Sequence, residues 1–282
     1  MDESDFGEPL RDAERLVSAH PGYREYVLCE VFRQTLDSVF LRNWRELTAL
    51  LERAASDVNL AIELFQNMHR PDVREDFEAE TAQRLHNYVA ATMTMVDHSR
   101  RIMRGRNGPI AEEFVERKRA LLTNSEVPFV RDLRNFTLHR SLPFLGNTVR
   151  MTDLNTPGQT ITAEVELSVA DLNAWDGWTA PARAFLDLQG EAVVLRPVVR
   201  RHGELVAALN AWLYNSLAKA NVGALAEVNQ LAVERNAVLT GTDLAEAERL
   251  TAEWTRLRQT RPSEQSSDPI ASCILRPPDL GP

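Results

Sequence analysis

From Leu10 onward, apolar residues recur every three or four positions, as at Val27, Val31, Val39, Leu47, Leu50, Leu51, Val58 and Leu64. This spacing lines up one face of a helix. Pro21-Gly22 and His69-Arg70-Pro71 punctuate the run, so it predicts one short helix and then a long, bent one. A second long pattern covers 73–103, with Phe77, Leu85, Tyr88, Val89, Val96 and Ile102 on its apolar side. Gly105-Arg106-Asn107-Gly108-Pro109 stops it. A further helix is expected over 110–122. Another is expected over 126–142, capped by Asn124-Ser125 and ended by Pro143.

The period then changes. Ile161, Ala163, Val165, Leu167 and Val169 alternate with Thr162, Glu164, Glu166 and Ser168, which is the signature of a half-buried strand. Asn155-Thr156-Pro157-Gly158 makes a turn, and 149–154 is the natural partner strand. A lone hairpin is marginal in water, so it must lie on the helices or be completed by another strand. A loop carrying Trp175 and Trp178 follows. Helical spacing returns over 180–188 and 197–240, with Pro197 suited to a first turn, and over 243–258. No internal repeat has a fixed period.

The expected fold is mainly α: an antiparallel helical bundle with an inserted β-hairpin and C-terminal helices. Its segments are a polar lead-in at 1–9, the bundle at 10–145, the hairpin and loop at 146–178, C-terminal helices packing on the same core at 179–259, and a disordered tail at 260–282.

Composition is that of an ordinary globular chain, with 44% hydrophobic and 26% charged residues over 282 positions. No apolar run has the length of a membrane span, and the acidic start is unlike a signal peptide. Two cysteines, Cys29 and Cys273, make neither a disulfide framework nor a thiolate metal site, so a cytoplasmic protein is expected. The net charge of −9 is uneven: −9 over 1–97, +6 over 98–150 and −6 over 151–282. A polyanion needs a local basic patch and not a basic average, so the middle segment is where RNA would be met. Lys118 and Lys219 are the two lysines, so nearly every cation is a planar guanidinium.

One motif lies in that basic segment: Phe129-Val-Arg-Asp-Leu-Arg134-Asn135-Phe-Thr-Leu-His139-Arg140. On a helix Asn135 and His139 lie about 40° apart and Arg134 about 140° from His139, while Phe129, Leu133 and Phe136 form an apolar stripe. Asp132 is placed with the polar side. Arg15 to His20 and Arg196 to His202 repeat the spacing, but Leu16 and Pro197 follow those arginines where Asn135 follows Arg134.

Arg134, Asn135 and His139, after long paired helices, resemble the HEPN superfamily, the all-helical domains of prokaryotic toxins, defence systems and RNA-processing factors. That superfamily's signature is Arg, four to six residues, then His, often with a polar residue after the Arg. The resemblance covers roughly residues 25–145. It implies a metal-independent ribonuclease in which His139 is the general base toward the 2′-hydroxyl, Arg134 clamps the phosphate, and Asn135 orients the imidazole or bonds the phosphate. It implies no cofactor and no metal. The site would be shared across a homodimer, giving a 2′,3′-cyclic phosphate, with an antitoxin or other protein as a partner. Arg131, Arg140, Arg104 and Arg106 are candidate RNA contacts around the motif. The same residues also fit a non-catalytic RNA- or nucleotide-binding module, or a helical interaction protein with no site. His86 and His98 are read as surface or core histidines. The Trp175–Trp178 loop is read as a core anchor, with base stacking as the alternative.

Overall fold

The computed structural model describes residues 7–66, 71–143, 145–152 and 160–260. In chain order these form α1 (Gly7–Ala19), α2 (Tyr23–Gln34), a π-helical stretch (Thr35–Leu41), α3 (Arg42–Ser56), α4 (Val58–Phe65), α5 (Pro71–Met103), α6 (Pro109–Leu122) and α7 (Glu126–His139). There follow β1 (Leu145–Thr152), β2 (Thr160–Ser168), α8 (Val169–Asn173), α9 (Ala180–Asp187), β3 (Ala192–Val194), α10 (Leu195–Ala220), α11 (Val222–Thr240) and α12 (Leu244–Thr260). The chain is thus mainly helical with a small antiparallel sheet.

The structure has two compact units: 32–210, and 1–31 with 211–282. The first is built on α5, whose 33 residues bury Phe77, Leu85, Tyr88, Val89, Met95 and Ile102 along one side. Onto it pack the π-helical stretch, α3 and α7. The sheet has the order β1-β2-β3, with Leu145 opposite Leu167, Val149 opposite Ala163 and Leu167 opposite Val193. Ala163, Val165 and Leu167 are buried, and β2 packs on α3 and α4. The alternating polar face carries ion pairs. Arg196 at the start of α10 meets Glu164 of β2 at 2.5 Å and Glu52 of α3 at 3.6 Å, tying three elements together.

A polar cluster lies inside this core. Trp44 Nε1 donates to the Val199 carbonyl at 3.1 Å, and Tyr88 Oη is hydrogen-bonded to His202 Nδ1. Burial holds the Tyr88 hydroxyl well above its ordinary range, so it stays protonated and donates. Gly203 is required here, because a Cβ would come within 2.0 Å of Trp44 Nε1.

The second unit pairs α1 with α11 and α11 with α12. Gly22 lets the α1–α2 turn close on α11: a Cβ would stand 2.9 Å from the Ala224 carbonyl oxygen. His20 Nδ1 accepts from the Gly22 N–H at 3.1 Å, which leaves Nε2 to donate to Glu227 at 3.0 Å. Gly241, at φ 64°, ends α11 in the left-handed conformation.

Several expectations are corrected. The long bent helix expected after Gly22 runs continuously over 23–56 with a π-helical stretch at Thr35–Leu41, and breaks at Asp57. Asp57 caps α4 through the N–H groups of Asn59 and Leu60. The hairpin both lies on helices and is completed by a third strand, β3, as expected for a hairpin that cannot stand alone. The expected helix over 197–240 breaks at Asn221 into α10 and α11. The expected segments at 10–145, 146–178 and 179–259 follow chain order; by contacts, α1, α11 and α12 group in one unit and α3 to α9 in the other. The expected turn at 155–158 and the tail beyond Thr260 lie outside the described residues.

Burial alone lowers the His202 pKa from 6.5 to about 3, so the folded protein holds a neutral imidazole that the unfolded chain would protonate. Between these values the unfolded state binds the extra proton, so stability is full above about pH 6.5 and falls by at most ~1.4 kcal/mol per pH unit below it. Urea melts of wild type and His202→Gln at pH 7.5, 5.5 and 4.5 check this. The wild type's advantage should shrink as the pH falls, and equal slopes would contradict the assignment.

Candidate functional site on α7

α7 forms because Val127, Phe129, Val130, Leu133 and Phe136 recur at helical spacing, and all are buried. Their aromatic members meet the segment after α8. Phe129 stacks on Trp178 at 5.6 Å and touches Phe185 of α9 at 4.7 Å, and Phe136 stacks on Trp178 at 5.8 Å. Trp178 also donates Nε1 to the Leu172 carbonyl at 2.8 Å. The expectation that this loop anchors on the core therefore holds for Trp178.

Asp132 departs from expectation. It is 2% exposed and not on the solvent side with Asn135 and His139. Its Oδ2 accepts from the Thr179 N–H at 2.9 Å and from Thr179 Oγ1 at 2.5 Å, and its Oδ1 accepts from Arg131 Nε at 2.9 Å. Thr179 is the N-cap residue of α9 and makes no cap bond of its own, so the carboxylate of α7 serves a free N–H beside that helix start. Arg131 Nη2 completes the ring by donating to Thr179 Oγ1 at 3.0 Å. The signal for this was a lone acid in an apolar stripe together with Thr179-Ala180-Pro181, a cap followed by an early-turn proline.

The motif residues are less buried, although Asn135 and His139 lie within about 60° of Asp132 around the helix. Arg134 and Asn135 are half-buried, and Arg134 Nη1 donates to Asn135 Oδ1 at 3.3 Å. His139 is exposed and is the last helical residue. The helix thus ends three residues earlier than the expected 142. Arg140 follows as the capping residue; its Nη1 donates to the Ala174 carbonyl at 2.7 Å, and its guanidinium carbon stands 5.8 Å from the Phe136 ring centre. At the other end Ser125 makes no cap bond, and Asn124 instead donates Nδ2 to the carbonyls of Ala120 and Leu121, closing α6.

The candidate RNA contacts separate into groups. Arg131 within α7 and Arg140 at its C-terminal cap are engaged with Asp132, Thr179 and Ala174. Arg104 and Arg106 belong to the turn between α5 and α6; Arg104 is exposed, and Arg106 donates Nε to the Ile102 carbonyl at 2.6 Å. The two other Arg-to-His spacings are structural: His202 is buried on Tyr88, and His20 is bonded to Glu227 and Gly22. His98 shares a 2.6 Å hydrogen bond with Thr35. Among the described residues no group of three or more His, Cys, Asp or Glu is placed to hold a metal ion, and no helix is long and apolar enough to cross a membrane. The chain matches no family model, no curated protein and no solved structure.

Removing the carboxylate should loosen α7 from α9. Asp132→Ala leaves the Thr179 N–H and the Arg131 guanidinium without their acceptor and should cost roughly 2–4 kcal/mol. Chemical denaturation measures it; a loss below about 0.5 kcal/mol, the ordinary surface range, would show that the carboxylate does not hold the helix.

Proposed function

We propose that this protein is a metal-independent ribonuclease of the HEPN kind, with Arg134, Asn135 and His139 as its reacting surface. The supporting observation is the division of α7. Leu133 and Phe136 are buried, while the neighbouring Arg134 and Asn135 and the terminal His139 face outward, with the amide bonded to the guanidinium.

Cleavage follows from ordinary chemistry of these groups. His139 accepts the proton of an RNA 2′-hydroxyl, whose oxygen attacks the adjacent phosphorus. Arg134 holds the non-bridging oxygens as charge accumulates. The bond from phosphorus to the 5′-oxygen breaks, that oxygen takes a proton from water or from a second imidazole, and a 2′,3′-cyclic phosphate remains. Arg134 and His139 point about 140° apart around the helix axis, so one chain's fork and a second chain's imidazole meet most readily across a two-fold axis. A homodimer is therefore part of the proposal, as is a partner protein that restrains activity by covering this surface.

Purified protein should cut RNA in the presence of EDTA, because the proposed roles use no metal. His139→Ala should slow cleavage by roughly 10²–10⁴-fold and leave RNA affinity largely unchanged. Arg134→Ala should weaken both, because a guanidinium acts on bound phosphate as well as on the transition state. RNA that is bound but never cut would assign a binding module instead. No binding at all would leave a helical interaction protein.

A further inference from the structure

We propose that α6 is a self-complementary docking helix, which pairs antiparallel with α6 of a second copy of this chain. The contact lies outside the α7 motif face and does not rest on the ribonuclease reading. α6 packs on α7 and buries only Phe114 of its 14 residues, with Ile110 and Leu121 half-buried. A second apolar stripe faces water. Val115 is 53% exposed and Leu122 41%. Around the helix Leu122 lies about 20° from Val115, Ala111 about 40° and Lys118 about 60°, whereas the buried Phe114 lies about 100° away.

The charge along α6 changes sign at its middle. Glu112, Glu113 and Glu116 precede Arg117, Lys118 and Arg119, so −3 is followed by +3. Acids first and bases last suit the macrodipole of a lone helix, but the dipole does not call for an exposed Val115 and Leu122 on one side. Glu113 and Arg117, on the far side from Val115, pair within the helix at 2.7 Å. Glu112, Glu116, Lys118 and Arg119 meet no ion-pair partner among the described residues. Glu112 and Glu116 also stand one turn apart with like charge, which a lone helix does not favour.

These positions fit a two-fold axis between Glu116 and Arg117, where the sign changes. An antiparallel copy placed on that axis sets Ala111 opposite the partner's Leu122, and Val115 opposite the aliphatic stem of the partner's Lys118. Glu112 and Arg119 lie on one flank of the stripe, and like flanks meet in an antiparallel pair. Each Glu112 then comes within two residues of rise, about 3 Å along the axis, of the partner's Arg119. Parallel pairing would instead set acids against acids and bases against bases. Charge complementarity thus selects a second copy, and selects it antiparallel. Fourteen residues give about 21 Å of helix, which covers less than a standard-sized interface, so the contact is reversible and weakened by salt.

The test is sedimentation equilibrium of the full chain at low and high salt. It compares wild type, Val115→Asn, Glu112→Arg, Arg119→Glu and the combined Glu112→Arg/Arg119→Glu variant. Wild type should associate in a concentration-dependent step that weakens with salt. Val115→Asn and both single reversals should weaken that step roughly tenfold or more, because each reversal sets like charges face to face at two places. The combined variant should return to within a few-fold of wild type, a recovery that loss of folding does not produce. A wild type that stays monomeric would overturn the proposal. Association unchanged in the single reversals would also overturn it, assigning the contact to another surface and leaving the ribonuclease reading standing. A combined variant no better than the single reversals would overturn the antiparallel pairing.

Discussion

A carboxylate inside an apolar helix face must find donors or unfold its surroundings, and Asp132 finds three. Two belong to Thr179 and one to Arg131. A buried charge with satisfied partners contributes little net energy, but removing one partner is expensive, so the arrangement acts mainly as a constraint on geometry. It fixes both the rotation of α7 and its placement against the start of α9. Phe129, Phe136 and Trp178 then pack in that register, which leaves Arg134 and Asn135 half-buried and His139 exposed at the helix end.

The end of α7 is shaped by the same contacts. The helix stops at His139, and Arg140 beyond it holds the Ala174 carbonyl and lies near the Phe136 ring. The tryptophan loop is drawn alongside by Trp178, and Trp175 arrives at the margin. Behind this, α5 and the sheet supply a rigid support. The Arg196–Glu164 pair joins β2 to α10, and the buried Tyr88–His202 pair joins α5 to α10. Polar groups thus specify how the helices sit, and apolar area holds them there.

Much of this architecture was legible in the residues. α5 and α7 show unbroken helical spacing, and β2 shows a clean alternation over nine residues, so local pattern and final burial agree. β3 has only three residues, too few for any period to register. The grouping of α1 with α11 depends on contacts across most of the chain, which no local pattern carries. The motif residues were visible from spacing and from Asn135 after Arg134, but the spacing alone could not separate them from Arg196 and His202. Burial does so, since His202 faces Tyr88 while His139 faces solvent. Arg131 and Arg140 are candidate RNA contacts in the sequence, where charge alone is read; their contacts to Thr179 and Ala174 lie more than thirty residues away, although Arg131 also meets its neighbour Asp132.

The central claim is that the outward face of α7 cleaves RNA through the 2′-hydroxyl. Its most direct test is mass spectrometry of the fragment ends after incubating a defined RNA with wild type and His139→Ala. The account predicts 2′,3′-cyclic phosphate and 5′-hydroxyl termini from the wild type, strongly reduced in the variant. Fragments ending in 3′-hydroxyl and 5′-phosphate groups, or identical fragments from both proteins, would contradict it.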